Sequence, residues 1–366
     1  MNEPIRILHV VTYMGMGGIE TMLMNFYRNI DRSKVQFDFL THREERAAYD
    51  DEIESLGGKI YRLPVLNPFS KNYRKALSNF FDEHPEYKVV HVHQDCLSGI
   101  ILKEAYKHRL KIRIAHSHNS SQIKDLKYIV KMIYKPLITK YATKLFACSV
   151  DAGKFMFGEN ADFEVFNNAI DAQKYIFSNE TRDKIRKELG ISEDELVIGH
   201  VGSIYYPKNH PFLLGVFKEI SSKCKARLLL VGDGPDRENI EKLAIELNIA
   251  DKIIFTGIRK DVYNVLQAMD VFVFPSHYEG LPVTTIEAQA SGLPCLISDG
   301  VPIECKKTDL VYQLKLTDDI KLWADKAIEL SKTERKNTYD DIVRAGYDIK
   351  TASQALTKYY IDIYNK

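Results

Sequence analysis

Short apolar runs alternate with segments of helical periodicity from one end of the chain to the other. Alternation of this kind predicts parallel sheets that carry helices on both faces. Several of the runs are uninterrupted apolar stretches that end at a glycine or a polar residue, which is typical of strands covered on both sides. The predicted strands are 5–12, 35–41, 59–63, 89–93, 112–116 and 145–149 in the first half, and 196–201, 227–231, 252–255, 271–274 and 294–297 in the second.

Eleven strands would make an unusually wide open sheet, so we divide the series into two doubly wound α/β domains. The polar stretch 171–195 lies between the two series and is predicted to be the linker. The predicted domains are 1–175 and 176–350, and the final segment 351–366 has an apolar helical face that needs a surface to cover. Ligands of such sheets bind beyond the carboxyl ends of the strands, so we expect the site in a cleft between the domains.

The charge balance argues against a nucleic-acid-binding protein. The chain has 51 basic and 50 acidic residues, a formal net charge of +1. The segment 101–144 is different, because it carries eleven basic and two acidic residues, a local charge of +9. We therefore predict a basic patch on an otherwise neutral protein.

Cysteine usage and hydropathy indicate a cytoplasmic protein. The five cysteines are scattered and never stand in a Cys-x-x-Cys spacing, which argues against a disulfide framework or a cysteine zinc site. The first residues lack the pattern of a signal peptide, and no apolar run approaches the roughly 18–20 residues of a membrane span.

The basic segment includes an amphipathic helical stretch, 121–144, in which Lys127, Lys131 and Lys135 recur every four residues. Pro136 is expected to bend or divide this helix. One interpretation is a helix that packs on the core and has a solvated lysine face. The other is a surface that contacts anionic lipid headgroups or a phosphorylated acceptor.

Two predicted strands end in paired histidines, His91 with His93 and His116 with His118. Residues two apart share a strand face, so four imidazoles together could suggest a metal site. No carboxylate cluster accompanies them, and we favour a single histidine that hydrogen-bonds a ligand in the cleft. A purely structural role for His91, His93 and His116 remains the alternative.

Glycines follow the first predicted strand of each half. Gly15, Gly17 and Gly18 stand between a strand and a helix, where they would let a ligand approach the backbone and an anion approach the helix start. The dinucleotide fingerprint is incomplete, and a tight turn without a ligand explains these glycines equally well. In the second half, Gly202 ends a strand and Lys208 follows in the next loop, an arrangement suitable for a phosphate.

The most informative segment follows the buried predicted strand 271–274. Glu279 stands in its loop, and Glu287 comes eight residues later, about one turn inside a helix that begins near Val283. The amides at the helix start would hold an anion between the two carboxylates, which would accept hydrogen bonds from hydroxyl groups. A donor sugar, a diphosphate and a ribose together would satisfy this arrangement.

At these residues the sequence resembles the retaining family 4 glycosyltransferases of the GT-B fold, particularly exopolysaccharide and capsule enzymes. The resemblance covers essentially the whole chain, and its most specific part is the Glu-x7-Glu pattern of Glu279 and Glu287. Further matches are Gly17-Gly18, His118, the segment 165–171 and Lys208-Asn209. The family implies two Rossmann-like domains that face each other across a cleft: an acceptor-binding domain, completed by the last helix, and a nucleotide-sugar-binding domain.

Carried over by position, the resemblance implies three catalytic residues: Glu279 at the donor sugar, His118 beside it and Lys208 at the diphosphate. Glu287 would hold the ribose. The implied donor-binding set is Gly17, Gly18, Gly202, Ser203, Lys208, Ile258, Arg259, Glu279, Gly280, Leu281, Pro282, Val283 and Glu287. The implied membrane or acceptor patch is Lys124, Lys127, Lys131 and Lys135.

The resemblance also implies the reaction. A hexosyl group would move from a nucleotide sugar, with a UDP-sugar favoured, to a glycan or lipid-linked acceptor with retained configuration and without metal or cofactor. The enzyme would build a surface polysaccharide at the inner face of the plasma membrane. The sequence departs from the family at Ser203, where an arginine that grips the diphosphate is common, and at Ala169, where a glycine is usual.

Four alternatives stay open on the sequence. A nucleotide-sugar epimerase or a phosphorylase of the same architecture would need no basic membrane-facing helix. A degenerate partner subunit would bind nucleotide sugar without transferring it, which Ser203 permits and the retained Glu279 and Glu287 disfavour. A nicotinamide dehydrogenase is disfavoured by the incomplete glycine fingerprint.

Overall fold

A computed structural model describes residues 3–119 and 126–366. The chain forms two compact units. The N-terminal unit comprises Met1–Ile170 and Asp348–Lys366, and the C-terminal unit comprises Asp171–Tyr347. The chain thus passes from the N-terminal to the C-terminal unit after Ile170, five residues before the predicted boundary at 175. The last helix belongs to the N-terminal unit.

A parallel sheet forms the centre of the N-terminal unit. Its strands in the described ranges are β1 (Ile5–Val10), β2 (Val35–Thr41), β3 (Ile60–Arg62), β4 (Val89–Val92), β5 (Ile112–Ser117), β6 (Lys144–Ala147) and β7 (Glu164–Val165). Their order in the sheet is β3-β2-β1-β4-β5-β6-β7. The order reverses between β1 and β4, which is where open α/β sheets bind ligands.

The C-terminal unit has a second parallel sheet. Its strands are β8 (Leu196–Val201), β9 (Ala226–Val231), β10 (Ile253–Phe255), β11 (Val271–Phe274), β12 (Cys295–Ser298) and β13 (Val311–Leu314). The order is β10-β9-β8-β11-β12-β13, so the reversal lies between β8 and β11. The prediction of two doubly wound, Rossmann-like α/β domains is confirmed.

Helices connect the strands in both units. The described helices are α1 (Gly18–Asn29), α2 (Asp50–Ser55), α3 (Lys71–Glu83), α4 (Ser98–Lys107), α5 (Leu126–Tyr134), α6 (Pro136–Tyr141), α7 (Val150–Phe157), α8 (Asn179–Glu188), α9 (His210–Lys223), α10 (Arg237–Glu246), α11 (Val262–Val265), α12 (Val283–Ala290), α13 (Ile320–Leu330), α14 (Tyr339–Arg344) and α15 (Ile349–Tyr364). In the portion of the chain described, none of them has both the length and the apolar character to cross a bilayer.

Alternate residues of β1 face two separate cores, as a strand covered on both sides requires. Ile7 packs in a core shared with α1 and α15, whereas Leu8 packs in a core shared with α3 and α4. In α15, Leu356 and Tyr360 are buried in the first of these cores. The apolar face of the last helix is therefore covered by the N-terminal unit.

The segment 171–195, predicted to be the linker, is instead part of the C-terminal unit. It contains α8, whose Arg182 and Arg186 both pair with Asp270, at 2.6 Å and 2.7 Å. These ion pairs fix α8 beside the start of β11. The polar composition of this segment predicted a linker. The structure shows instead that Arg182 and Arg186 form ion pairs within the C-terminal unit.

Pro136 divides the amphipathic stretch, as predicted. It occupies the first position of α6, where its missing amide hydrogen costs no hydrogen bond. Ile138 of α6 is fully buried, whereas Ile129 and Ile133 of α5 are each 66% exposed. The exposed face of α5 is therefore partly apolar.

Candidate active site

Two loops meet at the reversal point of the C-terminal sheet, one after β8 and one after β11. The Lys208 Nζ donates to Glu279 Oε1 at 2.6 Å, and each of these side chains is only 13% exposed. The His277 amide donates to the Pro207 carbonyl at 2.8 Å, which ties the two loops by backbone as well. The structure thus brings together two of the three residues implied to be catalytic.

Lys208 is held from a second side by the ring of Phe274, the last residue of β11. Its Nζ lies 4.7 Å from the ring centroid, a cation–π distance. A Cβ built at Gly202 would lie 3.3 Å from the Lys208 Cε, so glycine at this strand end leaves room for the lysine stem. The neighbouring Ser203 is exposed.

Glu287 lies within α12 and is oriented by a tyrosine. The Tyr175 hydroxyl donates to Glu287 Oε1 at 2.6 Å. Burial raises the pKa of Glu287, and the hydrogen bond from Tyr175 opposes that rise. Burial and then the charge of Glu287 raise the pKa of Tyr175, so the tyrosine stays protonated as the donor. Tyr175 was missed in the sequence because it stands in a segment without a recognisable motif.

The helix that separates the two glutamates begins at Val283, as predicted. Its N-terminal cap is Pro282, which makes no side-chain capping hydrogen bond. Leu281 and Pro282 are buried, whereas Gly280 is partly exposed. Before the helix, the Glu279 amide donates to the Gly300 carbonyl at 3.0 Å. The loop therefore presents Glu279 and the start of α12 at the same strand end.

Gly300 is a second residue that sequence reasoning missed. A Cβ built there would lie 2.3 Å from the His277 carbonyl oxygen, a contact that backbone cannot relieve cheaply. The turn after β12 therefore needs glycine to approach the loop after β11. Only the fold reveals this requirement, because the two loops are distant in sequence.

Two residues of the implied donor-binding set, Ile258 and Arg259, follow β10. Gly257 has a left-handed backbone (φ +68°), and its carbonyl accepts a hydrogen bond from the Gly232 amide at 2.9 Å. Ile258 is 68% exposed. Arg259 pairs with Asp261 at 2.7 Å and with Glu188 at 2.8 Å, and these partners raise the pKa of its guanidinium. The arginine is thus engaged by two carboxylates.

The glycine loop of the N-terminal unit leads from β1 into α1. Gly17 caps the helix in an extended conformation, and Gly18 is its first residue. A Cβ at Gly17 would lie 2.4 Å from the Glu20 Oε2, whereas a Cβ at Gly18 would meet nothing within 4 Å among the described residues. Gly18 therefore lies open to a ligand, while Gly17 is packed against Glu20, a carboxyl whose pKa burial raises.

Five histidines line one face of the adjacent strands β1, β4 and β5. His9 pairs in register with His91, and His93, His116 and His118 continue the same face toward the strand ends. The His93 Nδ1 lies 2.9 Å from the His118 Nε2, and the His93 Nε2 lies 3.1 Å from the His9 Nδ1. Burial lowers the pKa of His9 and of His118 to about 3, so these rings are neutral near pH 7. His9 was missed because a lone strand histidine carries no signal of its own.

Two lysines of the predicted membrane or acceptor patch contact other side chains of the protein instead of lying in solvent. Lys131 pairs with Asp95 at 2.8 Å, and the Lys135 Nζ lies 4.5 Å from the centroid of Phe155. Lys124 lies outside the described residues, as does the side chain of Lys127. The two lysines that the structure describes therefore contact their own protein.

Comparison with known proteins agrees with this architecture. The family model described as "Glycosyltransferase Family 4" matches residues 16–174, and the model "Glycosyl transferases group 1" matches residues 181–346. The chain is 37% identical to EpsF of Bacillus subtilis (strain 168), a protein that is named as a glycosyltransferase, over 97% of this chain and 96% of the relative.

Two further likenesses span both units. The chain is 26% identical to the UDP-Gal:alpha-D-GlcNAc-diphosphoundecaprenol alpha-1,3-galactosyltransferase of Escherichia coli, over 99% of this chain and 98% of the relative. The crystal structure of Anabaena HepE in complex with UDP has the same fold, with a TM-score of 0.80 and 15% identity over 98% of this chain and 100% of HepE. With the EpsF likeness and the two family matches, these findings show that the chain belongs to the family 4 glycosyltransferases of the GT-B fold.

Proposed function

We propose that this glycosyltransferase moves a hexosyl group from a UDP-sugar to a glycan or lipid-linked acceptor in surface polysaccharide biosynthesis, with retained configuration and without metal. The observation that carries the proposal is the Lys208–Glu279 pair at the sheet reversal point, beside the start of α12. The names of two similar proteins support the donor and the acceptor. The E. coli relative acts on UDP-Gal and a diphosphoundecaprenol-linked acceptor, and HepE binds UDP.

Lys208 is proposed to join the donor's diphosphate to Glu279. An ammonium group has three hydrogens to donate, so Lys208 can keep its bond to Glu279 while donating to a phosphate oxygen. The amide groups at the start of α12 would meet the same phosphates, since a helix N-terminus favours anions. Lys208 also lies beside Gly202, so it supplies a cation close to Ser203, where the family commonly has arginine.

Glu287 is proposed to hold the ribose. Its Oε1 already accepts from Tyr175, and a carboxylate has further capacity to accept from two ribose hydroxyls. That role requires the ionised form of Glu287. The Tyr175 hydrogen bond favours this form against the effect of burial.

In the proposed reaction the bond from the anomeric carbon to the diphosphate oxygen breaks as the acceptor hydroxyl approaches on the same face. Lys208 and the α12 amides stabilise the charge that develops on the leaving diphosphate. A leaving phosphate oxygen takes the proton of the acceptor hydroxyl, so the step needs no separate base. Glu279 and His118 are proposed to contact the sugar through hydrogen bonds.

The lysine-rich segment is proposed to bring the enzyme to the inner face of the plasma membrane, where a lipid-linked acceptor would lie. The local charge of +9 supports this, since anionic lipid attracts basic segments. The exposed Ile129 and Ile133 beside the lysines would add apolar contact with the lipid.

Calorimetric titration with UDP, GDP, ADP and NAD, without added metal, tests the donor site. We expect selective binding of UDP, weakened by Lys208→Ala and unchanged by Lys218→Ala, an exposed lysine of the same unit. Radiolabelled transfer from UDP-sugars to an undecaprenyl-diphosphate-linked acceptor then tests the reaction. Absence of nucleotide binding would overturn the proposal, and binding without transfer would favour the degenerate partner subunit.

A further inference from the structure

The histidine face of the N-terminal unit contains a group of three residues of which the proposed transfer reaction uses only His118. His93, His116 and His118 each place one ring nitrogen within 4.8 Å of the others. We infer that these three imidazoles bind a zinc ion at the carboxyl ends of β4 and β5. Neither the family resemblance nor the transfer chemistry assigns a metal to this position.

Unsatisfied ring nitrogens point to a ligand at this place. His116 is 3% exposed, and neither of its ring nitrogens has a hydrogen-bond partner among the described residues. A buried polar atom without a hydrogen-bond partner destabilises the folded protein, and His116 has two such atoms. Coordination by one nitrogen of His116 would remove part of this cost.

The spacing of the nitrogens is close to that of a zinc site. Zinc–nitrogen bonds of about 2.0–2.1 Å in a tetrahedron place two ligand nitrogens about 3.3 Å apart. The His93 Nδ1 and the His118 Nε2 form a hydrogen bond at 2.9 Å, which an ion between them would replace, and one nitrogen of each of the three rings lies within 4.8 Å of the others. Small rotations of the rings would therefore reach the coordination geometry.

The surroundings fit a ligating histidine as well. The second ring nitrogen of His93 faces the Nδ1 of His9 at 3.1 Å, an outer hydrogen bond of the kind that fixes the tautomer of a metal ligand. The candidate donors are histidines alone, which suits zinc, cobalt, nickel or copper and not magnesium or calcium.

The three-histidine set leaves a fourth position of a tetrahedral ion open. His118 is the partly exposed member of the set, whereas His93 and His116 are buried. The ion would therefore enter past His118 and keep its open position on that side. A second set, His9 with His91 and His93, is wholly buried and shares His93, so it offers no comparable entry.

A consequence follows if the proposed function is also right. His118 cannot ligate zinc and contact the donor sugar with the same ring nitrogen. Zinc would then compete with the UDP-sugar and raise its apparent KM. This consequence rests on the proposed function, whereas metal binding itself does not.

Titration of the full chain with Co²⁺, after treatment with a chelator, tests the inference directly. We expect one equivalent of Co²⁺ to give the intense visible absorption of four-coordinate cobalt, and Zn²⁺ to abolish it. Absorption in the near ultraviolet from a cobalt–thiolate bond would instead point to a cysteine and contradict the assignment. The wild-type spectrum does not depend on any variant being folded.

Variants then assign the ligands. His118→Ala and His116→Ala should each weaken Co²⁺ binding by about tenfold or more, since even outer-shell partners of a metal are worth about 10–100-fold. His84→Ala, a histidine of the same unit that contacts Glu86, should leave it unchanged. His118 is the better test because it is partly exposed, and circular dichroism checks the fold of each variant.

Three results would overturn the inference: no saturable binding of Co²⁺ or Zn²⁺, binding that survives both variants, or binding that is lost in His9→Ala and kept in His118→Ala. Loss of sugar transfer in the metal-free protein bears on the proposed function alone. Metal binding by a chain that transfers no sugar would leave the inference intact. The two proposals can therefore fail separately.

Discussion

Lys208 and Glu279 form an ion pair with 2.6 Å between Nζ and Oε1, although 71 residues separate them in the sequence. The pair joins the loops that follow β8 and β11, the two strands between which the sheet order reverses. A partly buried lysine and glutamate at this position place opposite charges at the edge where a ligand is expected. In the proposed reaction the lysine contacts the diphosphate and the glutamate contacts the sugar.

Replacement of Glu279 tests that division of roles. Glu279→Gln keeps the size of the side chain, and its amide oxygen can still accept from Lys208, so we expect the fold to persist. We expect kcat for sugar transfer to fall by about 10²–10³-fold, as when a group that stabilises the transition state is removed. Initial rates with saturating donor measure this. Glu241→Gln, at a partly exposed glutamate of the same unit that pairs with Arg237, is the matched control. A Glu279→Gln enzyme with wild-type turnover would remove Glu279 from the site.

The pairing of Lys208 with Glu279 also shows where sequence reasoning ends. Periodicity is a local signal, so it predicted both sheets and the start of α12 at Val283. It missed β7, which has two exposed residues, and β13, in which an exposed Tyr312 interrupts the apolar pattern. Contacts between distant segments leave no periodic trace.

The residues of the candidate site likewise fall into those that the sequence predicted and those that only the fold revealed. The two glutamates and Lys208 stand in a pattern that resembles a family, so the sequence could bring them into one hypothesis. Tyr175 and His9 entered only with the fold, because their partners, Glu287 and His93, lie 112 and 84 residues away. Such residues become visible only when strand order is known.

Tyr175→Phe tests whether the tyrosine positions Glu287 for the donor. The variant removes one hydroxyl and keeps the ring, and a hydrogen bond to a charged group contributes about 1.5–3 kcal/mol, or about tenfold or more in binding. We expect KM for the UDP-sugar to rise by about that factor while kcat stays within twofold. Tyr312→Phe, at an exposed tyrosine of the same unit, should change neither constant. A fall in kcat with KM unchanged would speak against a positioning role.

The raised pKa of Glu287 predicts that the ionised carboxylate lowers the stability of the fold, whereas the proposed ribose contact requires that same ionised form. Because the folded protein binds this proton more tightly than the unfolded chain, stability is lost as pH rises through the interval between the two pKa values. Each pKa unit of that interval is worth about 1.4 kcal/mol. Glu287→Gln should therefore increase the free energy of unfolding at pH 7.5, and increase it less at pH 4.

Urea unfolding at both pH values measures the effect of Glu287→Gln on stability, and calorimetry measures UDP binding. The same variant should weaken UDP, because a neutral amide accepts more weakly from the ribose hydroxyls than a carboxylate does. Wild-type UDP affinity should fall as pH drops through the raised pKa of Glu287. A variant that is less stable at pH 7.5 than the wild type would contradict this account of the carboxyl.

The exposed face of α5 predicts how the protein would meet a membrane. Lys131 is engaged by Asp95 and Lys135 lies on Phe155, so the apolar side chains beside them should matter for binding as well as charge. We expect sedimentation with vesicles that contain anionic lipid at low salt, and loss of that binding in the Ile129→Asp/Ile133→Asp double variant. Ile245→Asp, at a residue of the other unit that is 65% exposed, is the control. Equal binding to neutral and anionic vesicles would refute the role of the basic segment.

Ser203→Arg tests whether the missing arginine limits the enzyme. Ser203 is exposed beside Gly202, so a longer side chain has room without disturbing a core. A guanidinium there could grip the diphosphate with two hydrogen bonds, and a charge-assisted hydrogen bond contributes about 1.5–3 kcal/mol. We expect UDP affinity to rise by about tenfold or more, because Lys208 already supplies one cation and the second adds to it. Ser203→Gln, which has a long side chain without the charge, separates the effect of charge from the effect of size.

Two outcomes of the Ser203→Arg experiment would decide the role of this position. If the wild type is inactive and Ser203→Arg transfers sugar, the natural chain is the degenerate partner. If the wild type is active and the arginine adds no affinity for UDP, Lys208 alone suffices to bind the diphosphate.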